Sequence, residues 1–270
     1  MRTGQHHDVH VGILVVANHY PGDFAMGPAI TTPVTKPYQF TLDVNILDNP
    51  ALKAFVPGLT RIDSVNLRSR FSDRDGWTAS LRVPAVDMGV NQIRNLYLNA
   101  GTNQDAIDMV TTIERFSSGP SVQLNNTSIT ARIADNKINF TLNNKDAGNR
   151  DKYNISGLFQ QPSNGEYVFS IRPEGFVLNY DTWNVAANNR ILLTNAGVNA
   201  SNFNLSRAGQ QLSINSLAAG ANSPLEVTFN QFRLATLTGF VQTDSTLING
   251  LLNGKVAIEH AEIKSRLIEI

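Results

Sequence analysis

Cysteine is absent from this chain of 270 residues, which removes disulfides, thiol nucleophiles and thiolate metal sites together. Charge is scarce as well. Asp, Glu, Lys and Arg make up 16% of the residues, against about 25% in ordinary globular domains. What charge there is balances, with 22 Lys and Arg against 22 Asp and Glu. A surface that holds nucleic acid needs many uncompensated cations, so nucleic acid is not an expected partner. Long apolar runs are missing too. GILVVA at 12–17 is the most apolar stretch near the start. It is far too short to cross a bilayer and follows polar, His-rich residues rather than a basic region.

Catalytic patterns are equally sparse. The chain has no G-x-S-x-G, no H-E-x-x-H, no glycine-rich dinucleotide loop and no P-loop, so the expectation is a non-enzyme with no cofactor. His6, Asp8 and His10 would point the same way on an extended strand, a spacing compatible with a metal. No second cluster supplies further ligands, and a polar chain terminus is the simpler reading. His19 and His260 stand alone. Asp73 and Asp75 in SDRDG resemble the start of a calcium loop, but the order of ligands and the closing Glu are missing. A hairpin turn explains them better. Asp105 and Asp108 have no partnering base or nucleophile.

What the chain does have is alternation. In YQFTLDVNIL at 38–47, Tyr38, Phe40, Leu42, Val44 and Ile46 share one parity, which places them on one face of a strand. ALKAFVPGL at 51–59 reads as a helical turn ended by Pro57 and Gly58. IDSVNLRSRF, SDRDG and WTASLRV make a hairpin. DAIDMVTTIERF at 105–116 fits both a helix and a strand, and its β-branched residues tilt the choice toward strand. NTSITARI and INFTLNN pair across ADNK, and YNISGLF pairs with EYVFSI. RILLTN, SNFNLS, QLSIN and PLEVTFN follow, each bounded by Asn, Gly, Ser or Pro. TLTGFV at 236–241 reads as a brief helix. No long crossover helix separates the strands, so a parallel α/β fold is not expected. Residues 1–37 read as an irregular segment, and 38–270 as one repetitive β-structure.

Two architectures satisfy this pattern. One is an elongated, curved antiparallel sheet folded into a U-shaped apolar groove. The other is a closed β-sandwich. YDTWNVAANNRILLTN at 180–195 sharpens the choice, because Trp183 is either an exposed platform or a core anchor. A large ring beside a tight turn covers the end of an apolar core more often than it waits for a ligand.

The order of YNISGLF, YVFSIRPEGFVLNYDTWNVAANNRILL, VNASNFNLSRAGQQLSI, PLEVTFNQFRLATLTGF and LINGLLNGKVAI resembles the TamB family, the translocation and assembly module subunit, in its Bacteroidetes form. The resemblance runs from about residue 41 to 260 and is most specific over 154–252. It implies a β-structured apolar trough in the periplasm that works, without catalysis, in passing phospholipid between the two membranes or in outer-membrane protein assembly. The partners it implies are phospholipid or an unfolded outer-membrane protein, together with an outer-membrane barrel assembly protein. Family members carry an inner-membrane anchor and a C-terminal region that this sequence lacks, so an internal piece is the expectation. Phe140, Leu142, Ile155, Phe169, Phe203, Leu205, Ile214 and Phe229 are candidates to line the groove, and equally fit a closed core. Trp183 is the candidate structural anchor. The alternative function is a β-sandwich module binding carbohydrate or protein through exposed Trp183, Tyr180 or Trp77.

Overall fold

A computed structural model of the chain describes residues 39–119, 122–220, 223–238 and 250–259. It forms two compact units, Met1–Gly119 and Pro120–Ile270. The fold is almost all-β, and every strand pairing described within either unit is antiparallel. The division falls inside the stretch that reads as one repeat.

In the first unit, β1 (Gln39–Ile46), β3 (Val65–Ser72), β4 (Gly76–Met88), β5 (Asn91–Asn103) and β6 (Ala106–Ser118) lie side by side in that order. β2 (Leu59–Ile62) pairs with the far end of β4, beyond the stretch that β3 occupies. The segment that fitted helix and strand is therefore β6. The crowding of Val110, Thr111, Thr112 and Ile113 suits a pleated sheet better than a helical turn. SDRDG is the β3–β4 turn, where Ser72 Oγ accepts from the Asp75 N–H at 2.8 Å. Gly76 has φ +75°, and a Cβ there would meet Thr102 Oγ1 at 2.0 Å. A short helix, α1 (Pro50–Phe55), is capped by Asn49, whose side chain accepts from the Ala51 N–H at 2.8 Å.

The second unit has two sheets. The first runs β7 (Val122–Ala134), β8 (Lys137–Lys145), β9 (Asp151–Ser163), β10 (Glu166–Ile171), β14 (Arg190–Thr194) and β15 (Gly197–Ser201). A short strand, β11 (Val177–Leu178), pairs with β9, and β12 (Asp181–Thr182) pairs with β11. The second sheet runs β13 (Asn184–Val185), β16 (Phe203–Arg207), β17 (Gln210–Ser216), β18 (Leu225–Arg233) and β19 (Leu251–Ile258). Helix α2 (Leu234–Thr238) follows β18. It starts two residues before the brief helix expected at 236–241, because the strand ends directly at Arg233; residues 239–241 lie outside the described residues.

Asparagine explains much of the tight connectivity. Of the twelve non-glycine residues with positive φ among the described residues, seven are Asn. Its short amide tolerates the left-handed region that two-residue hairpins demand. Asp135 and Asn136 turn β7 into β8, and Asn179 and Tyr180 turn β11 into β12, each pair with both φ positive.

Candidate functional site

The strand register of the first unit assembles apolar side chains into rows that cross the sheet. Val44 faces Leu67, Leu67 faces Leu81, and Leu81 faces Leu98. A second row runs Leu42, Ser69, Ala79, Ala100 and Met109. Phe40 and Phe71 stack at 5.7 Å between ring centroids, and Trp77 lies opposite Phe71. The Trp77 indole N–H donates to Ser69 Oγ at 2.9 Å, so this ring is half-buried and committed to the sheet rather than displayed. Most of these side chains are half-buried, while the alternate residues are mostly exposed. The described strands of the unit lie edge to edge in one sheet, and burial on this side is uneven: Val83 and Ala85 on β4, with Leu59 and Ile62 on β2, are buried, while the rows above are mostly half-buried.

The second unit treats the same kind of face differently. Trp183 stands between β12, which belongs to the first sheet, and β13, which belongs to the second. The chain changes sheet at that residue. Its backbone N–H donates to the Phe176 carbonyl at 3.0 Å, and its ring packs against Phe232 at 5.6 Å. Phe229 meets Phe232 edge-on at 5.7 Å. Trp183 is 2% and Phe232 0% exposed. The Trp183 indole N–H has no hydrogen-bond partner. A buried unmade hydrogen bond costs about 1–3 kcal/mol, so the residue is held there by the area of its ring.

Asparagine completes the crossing. Asn189, 4% exposed, accepts from the Ile171 N–H at 2.7 Å and donates to the Ile171 carbonyl at 2.6 Å. Its amide thus acts as a strand partner for a buried backbone. It also donates to the Ala186 carbonyl at 2.9 Å. Asn202, with φ 52°, is the single residue between β15 in the first sheet and β16 in the second, and its side chain donates to the Ala187 carbonyl.

The eight candidate lining residues divide across this structure. Phe203 and Leu205 are buried in the cluster around Trp183, and Ile155, Phe169, Ile214 and Phe229 pack against it half-buried. Phe140 and Leu142 on β8 are half-buried, and neither is part of that cluster. Phe140 lies over Gly157 and stacks on Phe169 at 6.1 Å. A Cβ at Gly157 would come within 2.7 Å of that ring, so the glycine makes room for it. Since β7 and β8 supply no member of the cluster, the two layers do not form a closed sandwich.

The titratable groups describe scaffolding. The β8–β9 loop is tied by Asp146, which accepts from the Gly148 N–H at 2.8 Å, the Arg150 N–H at 3.0 Å and Arg150 Nε at 2.9 Å. The hydrogen bonds from Arg150 lead in holding its carboxyl below the usual range. Arg150 also lies over the Tyr180 ring at 4.9 Å. Burial pushes the Tyr153 hydroxyl up to about 12. Among the described residues no group of three His, Cys, Asp or Glu is placed to hold a metal. All five histidines, including His6, His10, His19 and His260, lie outside the described residues. Asp73 is exposed in its turn, Asp108 accepts from Asn103 Nδ2 at 2.7 Å, and Asp181 pairs with Arg207. Among the described residues no helix is long and apolar enough to cross a membrane.

The sequence marks Trp183 as an anchor, but not its place at a change of sheet, the partners of Asn189 and Asn202, or β15, whose GVNAS has little alternation to notice. No protein-family model matches the chain, and no curated protein or solved structure matches it.

Proposed function

We propose that this chain is a non-enzymatic transport module of the cell envelope, of the TamB type, acting in the periplasm. Its uncovered apolar sheet face receives the acyl chains of a phospholipid, or the apolar segments of an unfolded outer-membrane protein, on the way to an outer-membrane barrel partner. The observation that carries this reading is the set of apolar rows in the first unit, half-exposed and without a second layer among the described residues.

The physical reason is the cost of the passage. Each methylene moved from a bilayer into water costs about 0.8 kcal/mol. A two-chain lipid with about thirty of them faces a barrier on the order of 20 kcal/mol. A sheet face whose rows repeat from strand to strand lowers that barrier by similar amounts at successive positions. The polar parity keeps the opposite side wetted, and strand pairing satisfies the backbone. Of the rings the carbohydrate or protein module relies on, Trp183 is buried and Trp77 is bonded into the sheet, while Tyr180 is exposed beneath Arg150; the two tryptophans lend that module no support.

The test is site-specific photocrosslinking of the full chain with phospholipid vesicles. Photoreactive residues at Leu81 and Leu98 are expected to form lipid adducts, and those at Ser80 and Asn99, one position away on the other face, are not. Equal labelling of both faces, or none on either, overturns the reading.

A further inference from the structure

The opposite face of the first unit carries a feature that transport does not use. Two neighbouring rows cross β1, β3, β4 and β5 there. One runs Asp43, Arg68, Ser80, Asn99, and the other Asn45, Asn66, Arg82, Tyr97. All eight side chains are exposed. They line a recess of about 530 Å³, inside the range of about 300–1,000 Å³ typical of small-molecule sites. Strands about 4.8 Å apart make each row roughly 14 Å long, with the rows about 7 Å apart. The right-handed twist of a sheet makes either face concave along one diagonal, which accounts for a hollow on a polar face.

The chemistry of the grid is specific. Asn45, Asn66, Asn99 and Ser80 supply neutral donors and acceptors at strand spacing, suited to a ligand rich in hydroxyls. Tyr97 is 39% exposed and offers a flat ring at the end of its row. The two arginines differ. Arg68 Nε is bound to Asp43 at 2.6 Å and is neutralised by it. Arg82 lies over the Tyr97 ring at 5.6 Å and has no carboxylate partner among the described residues. One free guanidinium, held against an aromatic ring and flanked by amides, matches one planar carboxylate beside a pyranose. A single-stranded nucleic acid fits less well, because successive bases need successive aromatic platforms and the recess has one.

We infer that this recess binds an acidic oligosaccharide of the uronate class, with Arg82 engaging the carboxylate, Tyr97 stacking on the sugar ring and the asparagine rows bonding its hydroxyls. The recess also borders Val44, Leu67 and Leu81 of the apolar row, but the two readings use opposite parities and separate probes, so the failure of either leaves the other standing.

The test is an NMR titration of the isotope-labelled full chain with trigalacturonate, the neutral galactose trisaccharide and oligothymidylate in parallel. Saturable shifts are expected at Asn66, Arg82, Tyr97 and Asn99 with the uronate. The neutral sugar, and the uronate on Arg82→Gln, should each bind at least about tenfold more weakly, as expected for loss of a charge-assisted pair. Tyr97→Ala should weaken the uronate by about fivefold. Displacement of the bound trisaccharide by free galacturonate on the unmodified chain needs no variant and should succeed. Absence of saturable binding, equal affinity for neutral and acidic sugar, an unchanged Arg82→Gln, or tighter binding of oligothymidylate each overturns the inference.

Discussion

The open face of the first unit and the seam around Trp183 in the second are made of the same material: alternating apolar side chains on antiparallel strands. In the first unit every described strand belongs to one sheet, and Leu42, Val44, Leu67, Leu81 and Leu98 stay half-buried. In the second, the chain leaves one sheet for the other at Trp183, returns before β14 and leaves again at Asn202. Phe203, Leu205 and Phe232 end up buried. Covering an apolar face therefore depends less on how greasy its strands are than on a few residues that let the backbone change layers.

The strongest way to break this contrast is to delete one ring on each side. Trp183→Ala should cost about 3–5 kcal/mol, as for a large aromatic removed from a packed core. Leu98→Ala should cost about 1–2 kcal/mol, because that side chain is only half-buried. Urea denaturation of each variant measures both, and equal losses would erase the distinction between covered and open faces.

A smaller effect sharpens it. Asn189→Ala removes the amide that satisfies both Ile171 backbone groups, and should cost about 1–3 kcal/mol. The loss should appear in amide exchange at Ile171 and along β14, leaving the Leu81 and Leu98 amides of the first unit unchanged. Slow exchange retained at Ile171 would show that the backbone has another partner.

Acid gives the smallest effect. The Asp146 carboxyl titrates below its unfolded value, so its contribution is present at pH above the ordinary aspartate pKa of about 3.9 and is lost as pH falls through the lower folded value. Gly148 and Arg150 amides, corrected for intrinsic rates, should lose protection over that acid range before those of β10 do. Protection that rises on acidification would reverse the assigned direction.

These expectations also mark how far the sequence could be read. The all-β class, the β3–β4, β7–β8 and β9–β10 hairpins and the strand at β6 are written locally, in side-chain parity and in turn residues such as Gly76, Asp135 and Asn136. The recess was not legible. Arg82 and Tyr97 are distant in sequence and become neighbours only through the β4–β5 register, and Asp43 reaches Arg68 only through β1–β3 pairing. The seam was half legible: Trp183 drew notice for its ring, but parity persists through a change of sheet and gives no sign of it. Asn189 looked like one more turn residue in an Asn-rich chain, and Asn202 fell inside the strand read at SNFNLS.

One feature of the seam limits how the second unit can move. A single residue links β15 to β16, and a single residue links β12 to β13; the strand ends so joined are two residue steps, at most about 7 Å, apart. Strands that switch layers over so short a distance make a corner where the sheets meet, not a tether between free plates. The β14–β15 hairpin also lies in sequence between β13 and β16, which are paired to each other. The layers are laced, so a jaw-like opening would have to tear out ladder hydrogen bonds first. Within this unit, local fraying of a strand at a rim costs less than parting of the two sheets.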